Sequence, residues 1–217
     1  MQKRRQKASP PAYAPDGSHL KVAGEYWQGA AARNPTTLCN LTFFESIAPG
    51  VYQFHFLNLD IRIDLNTHSL VRQDPSGHWV EAEDPLLSLV TVLYLKNVQE
   101  VFPMGNDIVS AKDLKEGHFF AGPHAFRTDP LLHRYGDDIE GFNKACLSLG
   151  GKTMNMADAA FQLLPFPRLP IYFLLWAGDD EFKPRIQLLF ERPIETILSA
   201  DAIWALVSRV SMAFGDV

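Results

Sequence analysis

Hydrophobic and polar positions form their clearest pattern between Pro165 and Glu191. From Leu169 to Trp176 all residues but one proline are apolar, which predicts a strand buried on both faces in the middle of a sheet. From Arg185 to Glu191 apolar and polar residues nearly alternate, as in a strand with one drier and one wetter face. The acidic connection Gly178-Asp179-Asp180-Glu181 separates the two runs. We therefore predict an antiparallel hairpin in which Trp176 is a buried core residue.

Three further strands are predicted in the first half of the chain. The run from Val51 to Leu57 places aromatic residues at alternate positions, and the run from Ile61 to Leu65 alternates aliphatic residues with Arg and Asp. This is the period-two pattern of half-buried strands. Turns rich in Asn, Asp and Ser follow each run, and Leu70 to Arg72 opens a third strand. The pattern predicts an antiparallel meander.

Apolar residues at steps of three and four predict the helices. The predicted segments are an amphipathic helix from Leu20 to Arg33, a buried helix after Asp84-Pro85, a helix after Asp129-Pro130 that Gly136-Asp137-Asp138 can divide, a short helix or turn from Ala157 to Leu164, and a last helix capped by Ser199. The order of these elements lacks the strand-helix alternation of a parallel sheet. We therefore predict an α+β fold: a single domain with a mainly antiparallel sheet and helices packed on it.

Composition and charge narrow the class of protein. A chain of 217 residues with 47% hydrophobic content is long enough for one domain with a sizeable core, which we assign to residues 20–217. Residues 1–19 carry the basic cluster Lys3-Arg4-Arg5-Lys7 and three prolines, a composition that predicts a flexible tail. The net charge of −5 argues against a nucleic-acid partner or an anionic membrane surface.

The chain carries no sequence signal for export or membrane insertion. No apolar run approaches the length of a membrane span, and no apolar signal-peptide core follows the basic start. We therefore expect a cytoplasmic protein. Its two cysteines, Cys39 and Cys146, lie far apart and form no Cys-x-x-Cys pair. We interpret them as reduced, buried thiols and not as a disulfide or a metal pair.

Two groups of residues could carry chemistry. Asp179, Asp180 and Glu181 have the oxygen ligands that hard cations prefer, but adjacent carboxylates in an extended turn point apart, which favours a solvated turn. His118 and His124 flank an aromatic, glycine-rich loop and could bind a transition metal or an iron-containing ring. Their spacing matches no compact pair, which favours hydrogen bonds to the loop backbone. The sequence has no nucleophile elbow, phosphate loop, dinucleotide fingerprint or His-Glu-x-x-His motif.

Several segments together carry a resemblance to a known family. They are Leu163 to Pro170, Leu175 to Phe182, Leu189-Phe190, Ser199 to Ile203, Gly117 to His124, and Leu149-Gly150-Gly151. The match covers most of the chain from about Leu20 onward, and its Trp-x-Gly-Asp-x-Glu-Phe core is quite specific. In these segments the chain resembles the DUF3786 family, uncharacterised proteins found mostly in anaerobic bacteria and archaea. The resemblance supplies no catalytic or ligand residues.

The resemblance does imply a metabolic context. Some DUF3786 relatives are joined to a small iron–sulfur module of the kind seen in corrinoid proteins of anaerobic one-carbon metabolism. This chain lacks the cysteines of that module. The resemblance therefore implies an iron–sulfur protein as a candidate partner, and corrinoid or other metallocofactor metabolism as the setting.

Three hypotheses for the function stay open at this point. The leading one is a non-catalytic accessory protein that binds a small molecule or a metal-containing cofactor. The alternatives are a hydrolase or transferase that uses the carboxylates of the acidic connection with a nearby histidine, and a scaffold for a protein partner. For a ligand we predict a composite site where the loop from Gly117 to Phe126 meets the end of the hairpin. Its residues are His118, His124, Trp176, Asp179, Asp180, Glu181 and Phe182.

Overall fold

The computed structural model describes residues 20–215 and residue 217. The predicted tail, residues 1–19, lies outside this part of the chain. The helices in the described residues are α1 (Gly24–Ala31), α2 (Pro35–Thr42), α3 (Pro85–Asn97), α4 (Asp129–Tyr135), α5 (Ile139–Ser148), α6 (Ile194–Ile197) and α7 (Ala200–Ala213). The strands are β1 (Glu45–Ala48), β2 (Val51–Phe56), β3 (Leu59–Asp64), β4 (Ser69–Gln73), β5 (Trp79–Glu81), β6 (Ile108–Ser110), β7 (Lys152–Thr153), β8 (Ala159–Phe166), β9 (Leu169–Trp176) and β10 (Arg185–Glu191).

The strands form two antiparallel sheets of five strands each. Sheet A has the order β1-β2-β3-β4-β5 and is the predicted meander extended by a strand at each end. Sheet B has the order β6-β10-β9-β8-β7. Helix α3 follows sheet A along the chain and packs against both α1 and α7. The α+β class with antiparallel strands is confirmed, although the sequence pattern did not separate the strands into two sheets.

The hairpin from Leu169 to Glu191 is confirmed. Strands β9 and β10 pair as antiparallel neighbours, with Phe173 opposite Leu188 and Leu174 opposite Gln187. Strand β9 is the middle strand of sheet B, and it is buried along its whole length except for its last residue. Continuous apolar sequence therefore identified the centre of the sheet correctly.

The prediction that Trp176, the last residue of β9, is a buried core residue is wrong. Its side chain is only half-buried, and it packs beside Tyr172 and Leu174 in a small cluster separate from the main core. The guanidinium of Arg185 lies 4.2 Å from the centre of its ring. The apolar run continues one residue past the point where burial stops, and a cation–π contact covers one face of the ring instead.

The predicted short helix or turn from Ala157 to Leu164 is also wrong. Residues Ala159–Phe166 form strand β8, which pairs with β9 and in which most side chains are buried. The two alanines favour a helix in isolation, but β9 offers a full edge of hydrogen-bonding groups. Tertiary pairing therefore overrides the local preference.

The first predicted helix is shorter than expected and is followed by a second one. Helix α1 spans only Gly24–Ala31 and is capped by Ala32, and Asn34-Pro35 begins α2. The side chain of Asn34 accepts a hydrogen bond from the backbone N–H of Thr37 at 3.0 Å, and Pro35 occupies the first turn. This is the usual helix-start arrangement, which the prediction treated only as a stop.

The helix after Asp129 is divided at Gly136, as the sequence allowed. A Cβ on Gly136 would lie 2.6 Å from the carbonyl oxygen of Leu132 and 2.9 Å from Cγ of Pro184, so only glycine fits there. Asp138 then caps α5, because its Oδ1 accepts the N–H of Gly141 at 2.8 Å. The predicted helix after Asp84-Pro85 is confirmed as α3. Ser199 precedes α7 as predicted, but its side chain makes no capping hydrogen bond.

One aromatic residue joins the two sheets. Phe166, at the end of β8 in sheet B, is fully buried. Its ring centre lies 5.8 Å from that of Phe54, 5.7 Å from that of Phe56 and 4.9 Å from that of Tyr94. Phe54 and Phe56 belong to sheet A, and Tyr94 belongs to α3. The two sheets and this helix therefore share one core.

Both cysteines are free thiols. Cys146 is fully buried, and burial raises the pKa of its thiol well above the ordinary value. Cys39 is half-buried. Neither thiol is paired with the other, as their spacing indicated, but the prediction that both are buried is wrong for Cys39.

Candidate functional site

The two predicted histidines lie on exposed turns of the aromatic loop. His118 belongs to a 3-10 turn at Gly117–Phe119, and His124 ends another at Gly122–His124. The ring of His124 stacks on that of Phe119 with centres 4.4 Å apart. Phe120 stacks on Phe126. The loop is thus held together by its own rings.

The acidic connection is a closed turn built around one carboxylate. Oδ1 of Asp179 accepts hydrogen bonds from the backbone N–H groups of Glu181 at 2.8 Å and Phe182 at 2.6 Å. These bonds, with that of Phe182 the larger cause, lower the pKa of Asp179. Asp180 and Glu181 are exposed, and the Phe182 side chain is 69% exposed. Asp179 therefore has a structural role, because its carboxylate holds the acidic connection in a closed turn.

The loop and the acidic connection are anchored at opposite ends of β10. Phe126 packs against Phe190, with ring centres 5.6 Å apart, next to the last residue of the strand. The acidic connection enters the strand at Arg185, about 16 Å away at the usual rise per residue. Its Gly178 lies beside Asp137 and Pro184. The contacts therefore do not join the two halves of the predicted composite site, since each half packs on a different neighbour.

The described residues contain no group of three or more His, Cys, Asp or Glu side chains arranged to hold a metal ion. Among the same residues, no helix has the length and apolar character needed to cross a membrane.

A different cleft, which we call the Arg209 cleft, lies between sheet A and helix α7 and has a volume of about 700 Å³. The residues that define it are Leu57, Asn58, Leu59, Arg72, Ala82, Asp84, Leu149, Arg209, Ala213 and Val217, with Glu81 and Glu83 also bordering it. Leu57, Leu149 and Ala213 are buried, so the cleft has an apolar floor. Leu57 also has a φ of 55°, a left-handed conformation that is uncommon for a branched residue.

An ion pair forms one wall of this cleft. Nε of Arg209 donates to Oδ2 of Asp84, and the two side chains are only 10% and 21% exposed. The other carboxylate oxygen of Asp84 accepts the backbone N–H of Leu87 at 2.8 Å and so caps α3. Both oxygens of Asp84 are therefore engaged, and this carboxylate positions the guanidinium.

The guanidinium of Arg209 is incompletely satisfied. Its Nη1 is buried and has no hydrogen-bond partner among the described residues. The ring of Phe56 lies 5.3 Å from Cζ, and this contact offsets part of the cost of burying the charge. A buried donor on a charged group without an acceptor is nevertheless uncommon in proteins and unfavourable. Arg209, which borders the cleft, thus carries an unused donor.

A second arginine borders the same cleft from the sheet. Arg72 on β4 pairs with Ile61 on β3 and with Val80 on β5. Cross-strand partners share a face, and Ile61 belongs to the core. Arg72 therefore occupies the core-facing side of sheet A, at a point where the cleft opens and leaves it exposed.

A protein-family model matches the part of the chain that contains the arginines of this cleft. The family model described as "Domain of unknown function (DUF3786)" matches residues 38–213. The chain belongs to the DUF3786 family. No curated protein and no solved structure gives a significant match. In this DUF3786 chain the matched region includes Arg72, Asp84 and Arg209.

Sequence reasoning missed the Arg209 cleft, although one signal for it is present in this DUF3786 chain. Ala202, Leu206, Arg209 and Ala213 follow each other at steps of three and four, so they share one face of α7. The other three are buried. An arginine inside a buried helical stripe indicates a partner charge or a ligand. The partner, Asp84, is distant in sequence and could not be identified without the fold.

A second buried polar cluster of the DUF3786 domain is structural. The carboxylate of Glu191, which is 5% exposed, accepts hydrogen bonds from the Tyr172 hydroxyl at 2.5 Å and from the N–H groups of Gly105 and Asp107. Gln162 donates to the Tyr172 hydroxyl at 3.1 Å. Burial, and next the bond to Glu191, raises the pKa of Tyr172. Both oxygens of Glu191 are used to hold the chain around Gly105 on sheet B.

Proposed function

We propose that this DUF3786 protein is a non-catalytic binding protein that holds a small molecule in the Arg209 cleft. One observation carries the proposal. Arg209 borders the cleft, its side chain is nine-tenths buried, and its Nη1 has no acceptor within residues 20–215 and 217. A ligand acceptor in the cleft would remove the cost of that unfilled donor. The volume of about 700 Å³ is also within the usual range of ligand pockets.

The residue types in the cleft favour binding over catalysis. None of the described residues that border it is Ser, Thr, Cys, Tyr, His or Lys, so the cleft offers neither a common nucleophile nor an imidazole base. Asp84 uses both oxygens for its ion pair and its helix cap. A carboxylate-dependent hydrolase or transferase at this place would have to rely on Glu81 or Glu83. That reading stays the alternative, together with a scaffold for a protein partner.

The ligand we propose is an organic molecule smaller than a complete corrinoid. A cleft of this volume suits a drug-sized ligand, and a corrinoid ring with its side groups exceeds that size. A metal-containing cofactor remains a distinct outcome that experiment can recognise. Protein purified without oxygen from its native source should show no metal in elemental analysis and no visible absorption band. A stoichiometric metal would instead favour the cofactor reading.

The binding itself can be tested by filling the cleft. Leu59 is half-buried and borders the cleft, so Leu59→Trp adds bulk there. Val71 is also half-buried and pairs with Arg62, which puts it on the opposite face of sheet A. Val71→Trp is therefore a matched control. Native mass spectrometry of protein produced in its own host should detect a bound molecule in the wild type and in Val71→Trp.

The same molecule should be absent from Leu59→Trp. Each variant's melting temperature must be compared with that of the wild type, so that loss of the bound molecule is separated from loss of the fold. A molecule retained by a folded Leu59→Trp protein would place the binding site elsewhere and contradict the proposal.

A further inference from the structure

The charges that face the Arg209 cleft indicate the kind of molecule it takes. We infer, building on the binding function proposed above, that the ligand is a small organic acid. Its single carboxylate meets the guanidiniums of Arg209 and Arg72, and its hydrocarbon part lies on the floor formed by Leu57 and Leu149.

The first step of the argument is the charge of the inner wall. Arg209 and Arg72 contribute two positive charges to the inner wall and Asp84 one negative charge, whereas Glu81 and Glu83 add two negative charges at the rim of the cleft. Glu81 pairs with Val71 and therefore belongs to the outer face of sheet A. Glu83 is exposed. One carboxylate balances the inner wall, whereas a doubly charged phosphate would exceed it and meet stronger repulsion from both glutamates at the rim than a single carboxylate does.

The second step is the donor geometry. Asp84 occupies Nε of Arg209, while Nη1 has no acceptor in the part of the chain that the structure describes. A guanidinium presents its N–H groups in a planar fork that matches the two oxygens of a carboxylate. A ligand with an ammonium group in the same place would bring a third positive charge to the two arginines. The wall therefore selects against amines.

The third step is the floor. Leu149 is 3% exposed and Leu57 is 9% exposed, and both border the cleft, where Asn58 is the polar neighbour of Leu57. Each methylene of a ligand that leaves water at this floor should tighten binding by about four-fold. The preferred acid is consequently one with a hydrocarbon chain, and acetate should bind weakly.

The inference is tested by nuclear magnetic resonance titration of the full chain at pH 7. The probes are acetate, butyrate and hexanoate, with hexylamine and inorganic phosphate as contrasting charges. Hexanoate should shift the side-chain Nε–H resonance of Arg209 and the backbone amides of Leu57 and Leu149. Affinity should rise by about four-fold per methylene from acetate to hexanoate. Hexylamine and phosphate should leave these resonances in place.

Three results would overturn the inference. They are equal effects of hexylamine and hexanoate, binding of phosphate without binding of the acids, and affinity that does not depend on chain length. If Leu59→Trp removes a natural ligand that has no carboxylate, the organic-acid inference fails while the binding function stands. If no probe and no natural ligand binds in the cleft, the organic-acid inference and the proposed binding function both fail.

Variants give a second, independent readout. Arg209→Met should weaken hexanoate by about 10- to 100-fold, because a hydrogen bond to a charged donor is lost. If that variant does not fold, Arg72→Met serves instead and should weaken hexanoate by about two- to five-fold, as expected for an exposed charge. Arg62→Met is the matched control, since Arg62 lies on the opposite face of sheet A beside Trp79. Equal hexanoate affinity in Arg72→Met and Arg62→Met would contradict the inference.

Discussion

Replacement of Asp84 by asparagine should isolate the contribution of its ion pair with Arg209. Asparagine keeps a side-chain carbonyl that can accept the N–H of Leu87, so the cap of α3 survives. What the substitution removes is the negative charge next to the guanidinium of Arg209, whose side chain is only 10% exposed. The loss of folding free energy in Asp84→Asn is therefore assigned to the unpaired charge.

The size of that loss follows from burial. Removing one partner of a fully buried ion pair costs about 3–5 kcal/mol. Asp84 is 21% exposed, so water reaches part of the pair, and we expect the lower figure of about 2–3 kcal/mol. Asp84→Ala should cost about 1 kcal/mol more, because it also removes the cap. The double variant Asp84→Asn with Arg209→Met should recover part of the loss, since no unpaired charge remains.

The assay is urea unfolding at pH 7. The dependence of the unfolding free energy on urea concentration is fitted with one slope for all variants. Asp138→Asn provides the control, because Asp138 caps α5 through the N–H of Gly141 and is exposed. That variant should unfold with nearly the wild-type free energy. If Asp84→Asn is as stable as Asp138→Asn, or if the double variant is strictly additive, the reasoning about the ion pair is wrong.

Three further substitutions test other parts of the fold by the same urea assay. Phe166→Ala should cost about 3–5 kcal/mol in one transition, whereas Phe182→Ala should change stability by less than about 0.5 kcal/mol; two separate transitions would contradict the shared core. The raised pKa of Tyr172 means that the unfolded chain loses the phenolic proton first, so the contribution of this group to stability should be constant below about pH 10 and fall above it. Tyr172→Phe should make that fall shallower by about 1.4 kcal/mol per pH unit, and an unchanged slope would refute the assignment. Trp176→Ala should cost about 2 kcal/mol, less than a fully buried aromatic, and a loss above 4 kcal/mol would show that the ring is a core residue after all.

The elements that the sequence predicted well are those whose pattern is local and unambiguous. Strands β2, β3, β9 and β10 have period-two or fully apolar runs bounded by turn residues, and α3 begins with an aspartate and a proline. Strand β8 was missed because Ala159–Phe166 is apolar on both faces, a pattern that does not distinguish a strand from a buried helix. Only its pairing with β9 shows that this segment is a strand.

The site could not be predicted in the same way, because its residues are brought together by the fold. Sequence reasoning selected His118 and Asp179 with their neighbours, since these residues cluster along the chain. The Arg209 cleft instead joins Arg72 from a strand, Asp84 from a helix cap and Arg209 from the last helix. Clustering in sequence is therefore a poor guide to a site that is assembled from distant segments.

The four strands at the margins of the two sheets bear on how this protein can meet a partner. They are β1, β5, β6 and β7, and they contain four, three, three and two residues. Edges this short offer few free backbone groups to an incoming strand. Addition of a partner's strand to either sheet, the common way in which an extended peptide docks, is thus poorly supported here. A protein partner would have to contact side chains, and the same short edges should help the chain to stay unaggregated while it folds.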